Sequence, residues 1–329
     1  MEVNVAARIS VAIPIHNEED VLPELLQRVK ASLDSVPGGP HEMVFVDDGS
    51  HDRSLDLLAE AAARDPRIVV ISLSRNFGHQ AALTAALDQV SGDAAVVMDG
   101  DLQDPPEEIP RLVAKLQEGY DVVYALRVRR KESVLLRLAY FVFYRVIASL
   151  SKLKLPVDAG DFGIMSRRVV DEIRRAPEQN RYLRGLRTWV GFRQTGLEIE
   201  RAERLAGQSK YSVRALIRLA FDGIFAFSIA PLRAAAILGV ITIALSSFFA
   251  LYAIYARVVR HESPQGFTAL LVVMTFLSGM NLFFLGVIGE YVGRVYEESK
   301  ARPLYVIDKL IREGHDRRTG RERRTGPAA

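Results

Sequence analysis

Cysteine is absent from all 329 residues. That excludes disulfides, thiolate nucleophiles and cysteine-ligated zinc, and it fits a reducing compartment. Histidine is scarce, six in total, and no two form an HExxH-type pair. No GxxxxGK[ST] stretch occurs, so there is no P-loop, and no GxGxxG follows the first apolar run, so the dinucleotide fingerprint is missing. Neither sign of charge dominates: 43 basic residues face 40 acidic ones, for a net charge of +3. The first 200 residues or so show no basic stripe interleaved with aromatics, which argues against a nucleic-acid partner. The N-terminus "MEVNVAARIS" begins acidic and lacks a signal-type apolar stretch.

What the chain does have is concentrated in two places. In the C-terminal third, Ala234–Ala256 and Ser263–Gly289 carry no charge, bracketed by Arg233 and Arg257 and by Glu262 and Glu290. Each run exceeds the roughly 20 residues needed to cross a bilayer. The alternative, a buried helical hairpin in a soluble core, is disfavoured by two such runs joined only by "RVVRHE". Arg214, Arg218 and Arg233 precede the hairpin, and Arg294, Lys300, Arg302, Lys309 and Arg312 follow it, whereas the connecting loop holds Arg257 and Arg260. This bias predicts an inner-membrane protein with both termini in the cytoplasm. "SVRALIRLAFDGIFAFSIAPLR" sets Arg214, Arg218 and Asp222 on one stripe of an apolar helix, and reads as interfacial. "VLLRLAYFVFYRVIASLSKLK" reads either so or as a helix packed on the globular domain. The tail "REGHDRRTGRERRTGPAA" reads as disordered and basic, suited to anionic lipid. The expected organisation is a cytosolic domain over 1–210, an interfacial helix over 211–232, a membrane hairpin over 233–292 and a basic tail over 293–329.

The first half alternates short apolar runs with amphipathic ones. Residues 9–14, 43–48, 68–73, 94–99 and 121–126 predict strands, and 18–33, 53–64, 79–90 and 107–118 predict helices. The resulting βαβαβαβαβ order implies an α/β, Rossmann-like, mostly parallel sheet. Ligands bind such sheets outside the carboxyl ends of the strands. Polar residues gather there: Pro14-Ile15-His16-Asn17-Glu18 after the first strand, Asp47-Asp48-Gly49-Ser50 after the second, and Asp99-Gly100-Asp101-Leu102-Gln103 after the fourth. "DGDLQD" lacks the glycine and glutamate of a calcium loop. Asp-x-Asp at a strand end instead lets two carboxylates converge on Mg²⁺ or Mn²⁺, with Gln103 adding a carbonyl oxygen and substrate phosphates completing the shell. Asp48 can accept hydrogen bonds from a nucleoside, and Ser50 or Asp52 can cap the next helix. Asp104, Glu107 and Glu108, around Pro105-Pro106, read as the acidic start of a helix.

The stretches "VAIPIHNEE", "VFVDDGSHDRS", "SRNFGHQAALTAALDQVSGDAAVVMDGDLQDPPE", "DAGDFGIMSRRVVD" and "AGQSKYS", spanning residues 10 to 212, resemble family 2 glycosyltransferases of the GT-A fold. The resemblance is to the polyprenyl-phosphate hexosyltransferases in particular, and the paired C-terminal helices match their bacterial branch. It implies a nucleotide sugar and a polyprenyl phosphate as substrates, an inverting metal-dependent transfer, and a homo-oligomer such as a tetramer. It also implies roles. Pro14, His16, Glu18 and Asp48 would surround the nucleoside. Asp99, Asp101 and Gln103 would hold the metal and diphosphate. Arg127 would approach the donor phosphates or sugar, and Arg204 and Lys210 would close over the pyrophosphate. Asp158, in "DAGDF", would face the acceptor.

Two departures stand out. His16 replaces a tyrosine common beside the nucleobase, and Gly163 stands where arginine often follows "DAGDF". The residues leave simpler readings open: Asp158 as a turn cap, Arg127 with Arg129, Arg130 and Lys131 as a solvated basic run, and His79 as a structural residue at a helix start. UDP-glucose is the favoured donor, with GDP-mannose or an aminoarabinose donor as alternatives. A processive polysaccharide synthase is disfavoured because no QxxRW occurs and the single tryptophan is Trp189. A non-catalytic membrane scaffold is disfavoured by the intact Asp99, Asp101 and Arg127.

Overall fold

The computed structural model describes residues 7–128, 159–179, 181–200, 230–259, 266–312 and 315–318. These fall into two units, one built from the chain up to Arg137, Leu153–Lys210 and Arg302–Ala329, the other from Leu138–Lys152 and Tyr211–Ala301.

The first unit is organised on a nine-stranded sheet of order β7-β5-β6-β4-β1-β2-β3-β8-β9. The strands are β1 (Ile9–Ile15), β2 (Glu42–Asp47), β3 (Ile68–Leu73), β4 (Ala94–Val97), β5 (Val122–Val128), β6 (Ala159–Ser166), β7 (Gln194–Glu200), β8 (Ile307–Arg312) and β9 (His315–Arg318). The block β4-β1-β2-β3 is parallel. β1 and β2 are buried along their whole length, which explains their unbroken apolar runs. Their side chains alternate between two cores. Val11, Ile13 and Ile15 meet α1 (Leu22–Asp34), α2 (Ser54–Arg64) and α4 (Ile109–Gln117). Ala12, Val44 and Val46 face the other way, toward α3 (His79–Gln89), α5 (Arg167–Arg175) and α6 (Leu183–Trp189). Ala82, Ala85 and Ala86 keep α3 thin where it lies over the centre of the sheet.

The mostly parallel α/β architecture is as expected, but four strands were not foreseen. β6 runs antiparallel between β4 and β5, so "AGDFGIMS" is a strand rather than only a motif. β7 adds an edge strand parallel to β5. β8 returns after the apolar helices and pairs antiparallel with β3, and β9 pairs with it in turn. The stretch read as a disordered tail, from Arg312 on, therefore contributes ordered backbone at its start, with Arg312 closing β8 and His315–Arg318 forming β9, while Ile307, Leu310 and Ile311 just ahead of it bury apolar surface against the sheet. Two helix starts also shift. Asn17 takes a left-handed φ of 55° and a turn follows, so α1 begins at Leu22 rather than 18. Pro106–Glu108 forms a 3₁₀ turn ahead of α4.

The second unit contains α7 (Ala230–Val259) and α8 (Phe267–Ser299). Each includes a window long and apolar enough to cross a bilayer: Pro231–Ala256, with mean hydropathy 2.3, and Val273–Ser299, with 1.5. Within those two stretches Ala256 is the one described residue that is buried. Phe248 is 73% exposed and Phe276 65%, which is not the pattern of a hairpin inside a soluble core.

Candidate active site

The carboxyl ends of β4, β1 and β2 lie side by side, since Ala12 pairs with Val97 and Ile15 with Asp47. The antiparallel β6 adds its amino end to the same edge. Val97 pairs with Gly163, and carrying that register two residues further sets Asp161 opposite Asp99. His16, Glu18, Asp48, Asp99, Asp101 and Gln103 all fall on this edge.

Backbone geometry builds the acidic turn. A Cβ on Gly100 would sit 2.5 Å from Ile15 Cδ1 and 3.1 Å from the Pro14 carbonyl, so the turn lies directly on β1. Leu102 takes a left-handed φ of 56° and plugs its buried side chain into the core. The Gln103 N–H donates to Asp101 Oδ1 at 3.1 Å, folding the turn back on itself. Asp99 Oδ1 lies 3.6 Å from His79 Nε2, an ion-pair separation rather than a hydrogen bond.

The β1 and β2 side of this edge is tied to the loop between β3 and α3. Buried Asp48 accepts N–H bonds from Phe77 (2.7 Å) and Gly78 (2.9 Å), one on each carboxylate oxygen. This occupation was not anticipated: the carboxylate shapes the loop as well as fronting the edge. Gly49 has φ +66°, and a Cβ there would meet Asn76 N at 2.6 Å, so β2's end and the loop are packed backbone to backbone. His16 Nδ1 is 3.0 Å from the Asp48 carbonyl, and Asn76 Nδ2 and Asn17 Nδ2 each lie 3.1 Å from His16 Nε2. Pro14 is buried within β1 opposite Val46. The Glu18 N–H donates to Ser54 Oγ at 3.0 Å, and Asp52 accepts from the Ser54 and Glu19 N–H groups. Burial raises the pKa of Asp52, but these hydrogen bonds outweigh it and hold the carboxyl below its usual range. Neighbouring Asp47, deeper in the strand, is pushed up by burial.

The Asp104 to Glu108 half of the acidic block turns away to structural work. Glu107 takes a two-point contact from Arg28, at 2.8 and 2.9 Å, and Glu108 pairs with Arg111.

Opposite Asp99 stands a cluster that sequence reasoning missed. Arg184 on α6 grips Asp161 with Nε at 2.8 Å and Nη2 at 2.9 Å. Burial pushes the Asp161 carboxyl up, but Arg184, together with the charges of His79 and Arg187, brings it below its ordinary value. Arg187, one helical turn on, is buried. Its Nη2 donates to the Gly160 carbonyl at 3.3 Å and its guanidinium lies 5.0 Å from the Tyr124 ring. Desolvation lowers its pKa to about 10, which leaves it protonated at neutral pH. His79 begins α3 between Asp99 and Asp161, so it has an electrostatic place at the edge besides its helix-start position. Gln80 Oε1 accepts the Leu183 N–H at 3.0 Å and so ties α3 to α6. The one available signal for Asp161 was its place in "DAGDF"; Arg184 and Arg187 carried none.

Arg127 lies on β5, its backbone opposite Ile199 of β7. Asp158, Arg204 and Lys210 lie outside the described residues, as do the two segments read as interfacial, except that Ala230–Arg233 at the end of the first open α7. Gly163 has a packing reason: a Cβ would come within 2.5 Å of the Val123 carbonyl on β5, leaving no room for a side chain.

Among the described residues, no group of three or more His, Asp or Glu converges as a metal cage. Asp99 and Asp101 still fit Mg²⁺ or Mn²⁺, which typically takes one or two protein carboxylates and fills its remaining positions with water and substrate phosphates.

A mostly parallel sheet with Asp-x-Asp at its carboxyl edge defines a class, and the sequence comparison agrees: the profile described as glycosyl transferase family 2 matches residues 10–174. The chain belongs to this family and is a glycosyltransferase. It is 43% identical over 301 residues to the uncharacterized glycosyltransferase YkcC of Bacillus subtilis, covering 91% of this chain and 93% of that one. It is 40% identical over 301 residues to the bactoprenol glucosyl transferase of Shigella phage SfV, covering 91% and 98%. It is 37% identical over 325 residues to the undecaprenyl-phosphate 4-deoxy-4-formamido-L-arabinose transferase of Serratia proteamaculans, covering 96% and 97%.

Proposed function

We propose that this glycosyltransferase moves one hexose from a nucleotide sugar, UDP-glucose foremost, to the phosphate of a polyprenyl lipid, with inversion at the anomeric carbon. The observation that carries the reading is a convergence at one sheet edge. The ends of β5 and β7 and the starts of β6 and β8 all lie at the edge that holds Asp99 and Asp101. Those four strand ends lead to residues 129–158 and to the stretch holding α7 and α8. The chain thus leaves the sheet for the membrane-type helices, and returns from them, through strand ends at this edge. Near full-length similarity to relatives named for bactoprenol and undecaprenyl phosphate supports the acceptor.

The chain's residues divide the work. His16, Glu18 and the loop held by Asp48 receive the nucleoside. Asp99 and Asp101 hold a divalent ion, with Gln103 beside them. That ion, when bound, neutralises the leaving diphosphate. A phosphate monoester has its second pKa near 6, so the acceptor oxygen is already largely anionic at neutral pH and needs little general-base assistance. The remaining barrier is charge repulsion between two anions. Arg127 is the residue assigned to counter it, on the family resemblance, and Arg184 with Arg187 adds two positive charges around the single Asp161. Attack from the face opposite the diphosphate converts an α-linked donor into a β-linked lipid. The sheet-bearing unit, with β8 and β9 included, is the cytosolic catalytic domain, and α7 and α8 form the membrane hairpin, with both termini on the cytoplasmic side.

The test is a donor screen with purified protein in lipid nanodiscs, Mg²⁺ or Mn²⁺ and undecaprenyl phosphate. UDP-glucose is expected to be consumed fastest among UDP-glucose, UDP-galactose, GDP-mannose and the formylated aminoarabinose donor. Preference for any of the other three would overturn the donor assignment while leaving the acceptor intact.

A further inference from the structure

We propose that the strand following the second apolar helix, residues 304–312, is a positioning strap for the nucleoside loop. The inference rests on the donor site assigned above.

β8 pairs with β3 from Leu73 back to Val69. The register shifts between Ser72 and Leu73, and just beyond the shift the Ser74 N–H donates to the Val306 carbonyl at 2.9 Å. Ser74 opens the loop that runs through Arg75, Asn76, Phe77 and Gly78 to His79. This is the loop whose Phe77 and Gly78 N–H groups are held by Asp48, whose Asn76 reaches His16 and whose end brings His79 to Asp99. The loop is thus fastened at one side by Asp48 and at the other by Val306. Side chains reinforce the second fastening. Tyr305 Oη donates to Asp88 Oδ2 on α3 at 2.7 Å. Tyr305, Ile307 and Leu310 pack on the same core cluster as the loop's own Phe77. Burial and the Asp88 carboxylate both push the Tyr305 hydroxyl pKa up, so it remains a donor throughout the working pH range.

A loop that must leave room for a nucleoside cannot be buried by its own sequence, because apolar filling would occupy the ligand's space. Support from a distant segment solves that problem. Here the supporting segment is continuous in the chain with α8, so the same stretch that ends the membrane-type helix also sets the shape of the donor pocket.

The experiment uses full-length protein in nanodiscs carrying Tyr305→Phe, Leu310→Ala or both, with hydrogen exchange and steady-state kinetics on UDP-glucose with Mg²⁺. In the double variant, amides of residues 74–79 are expected to exchange about tenfold faster, while β1, β2 and β4 are unchanged. The KM for UDP-glucose is expected to rise several-fold, with kcat within about twofold. Faster exchange confined to residues 304–312, with the loop unchanged, would overturn the proposal. So would a fall in kcat at constant KM. A protein that turned over no nucleotide sugar would refute the transferase reading instead, and the exchange measurement would still decide the strap.

Discussion

Asp48 offers the sharpest mechanical test of the donor side. It is 3% exposed, and its two oxygens each accept one backbone N–H of the following loop, at 2.7 and 2.9 Å. Hydrogen bonds to a charged acceptor contribute about 1.5–3 kcal/mol each, and a donor left without a partner costs about 1–3 kcal/mol. Phe77 and Gly78 are only half-buried, so water can partly replace the carboxylate and the lower end applies. Asp48→Ala should therefore lower the free energy of opening the loop by about 3 kcal/mol, roughly a hundredfold in local opening. Asp48→Asn keeps one oxygen acceptor but turns an amide N–H₂ toward the second donor, and should recover about half of the loss. Hydrogen-exchange mass spectrometry on peptides covering residues 74–79 reads the effect directly. β1 and β2 should be protected as before, and the nucleotide-sugar KM should rise in the order wild type, Asn, Ala. Loop exchange unchanged in the alanine variant would refute the reasoning, because the two bonds could not then be what holds the loop.

Other expectations follow from the same geometry. Asp161→Asn leaves Arg184 and Arg187 around a neutral group, and breaking a buried pair typically costs about 3–5 kcal/mol. Because the folded Asp161 carboxyl lies below its usual value, its contribution is fully present above the unfolded carboxylate range near pH 4 and is lost as pH falls through the folded value. The stability gap between wild type and variant, followed by denaturation against pH, should be flat from neutrality to about pH 5 and close below it; a gap that widened on acidification would contradict the assignment. Gly163→Ala would drive a Cβ to 2.5 Å from the Val123 carbonyl, a backbone atom that cannot swing aside, and should cost about 1–3 kcal/mol, seen as a melting midpoint several degrees lower. Asp101→Ala should leave the melting midpoint within a few degrees and reduce turnover by about 10²-fold or more, whereas near-normal turnover would remove Asp101 from the metal site.

The legible part of the fold was the part buried on both faces. β1, β2 and β3 sit in the parallel centre, so "ISVAIP", "MVFVD" and "IVVISL" carry unbroken apolar runs that announce strands. β7, at the sheet edge, reads "QTGLEIE" and is mostly half-buried, so no such run marks it. β6 was hidden differently. Gly163 is there because the β5 backbone approaches closely, and glycine in a run reads as a loop. β8 alternates Asp308, Lys309 and Arg312 with apolar residues, a pattern that an overall count of charge records as a basic tail.

The edge chemistry was legible to the same degree. His16, Asp48, Asp99 and Asp101 follow strands in sequence, so strand prediction alone delivers them to one edge. Arg184 and Arg187 reach it only because β6 inserts antiparallel and α6 then packs across it. Nothing in a local window records that insertion. Asp161 gains its place in the same way: the β4–β6 register, carried two residues on, sets it opposite Asp99.

The most direct measurement of the central claim is the product itself. Purified full-length protein, UDP-glucose, Mg²⁺ and undecaprenyl phosphate should give an organic-extractable lipid whose mass exceeds the acceptor by a single hexose, and whose sugar is released by mild acid with β-anomeric linkage. A water-soluble polymer, or hydrolysis of the nucleotide sugar without any lipid-linked hexose, would contradict it.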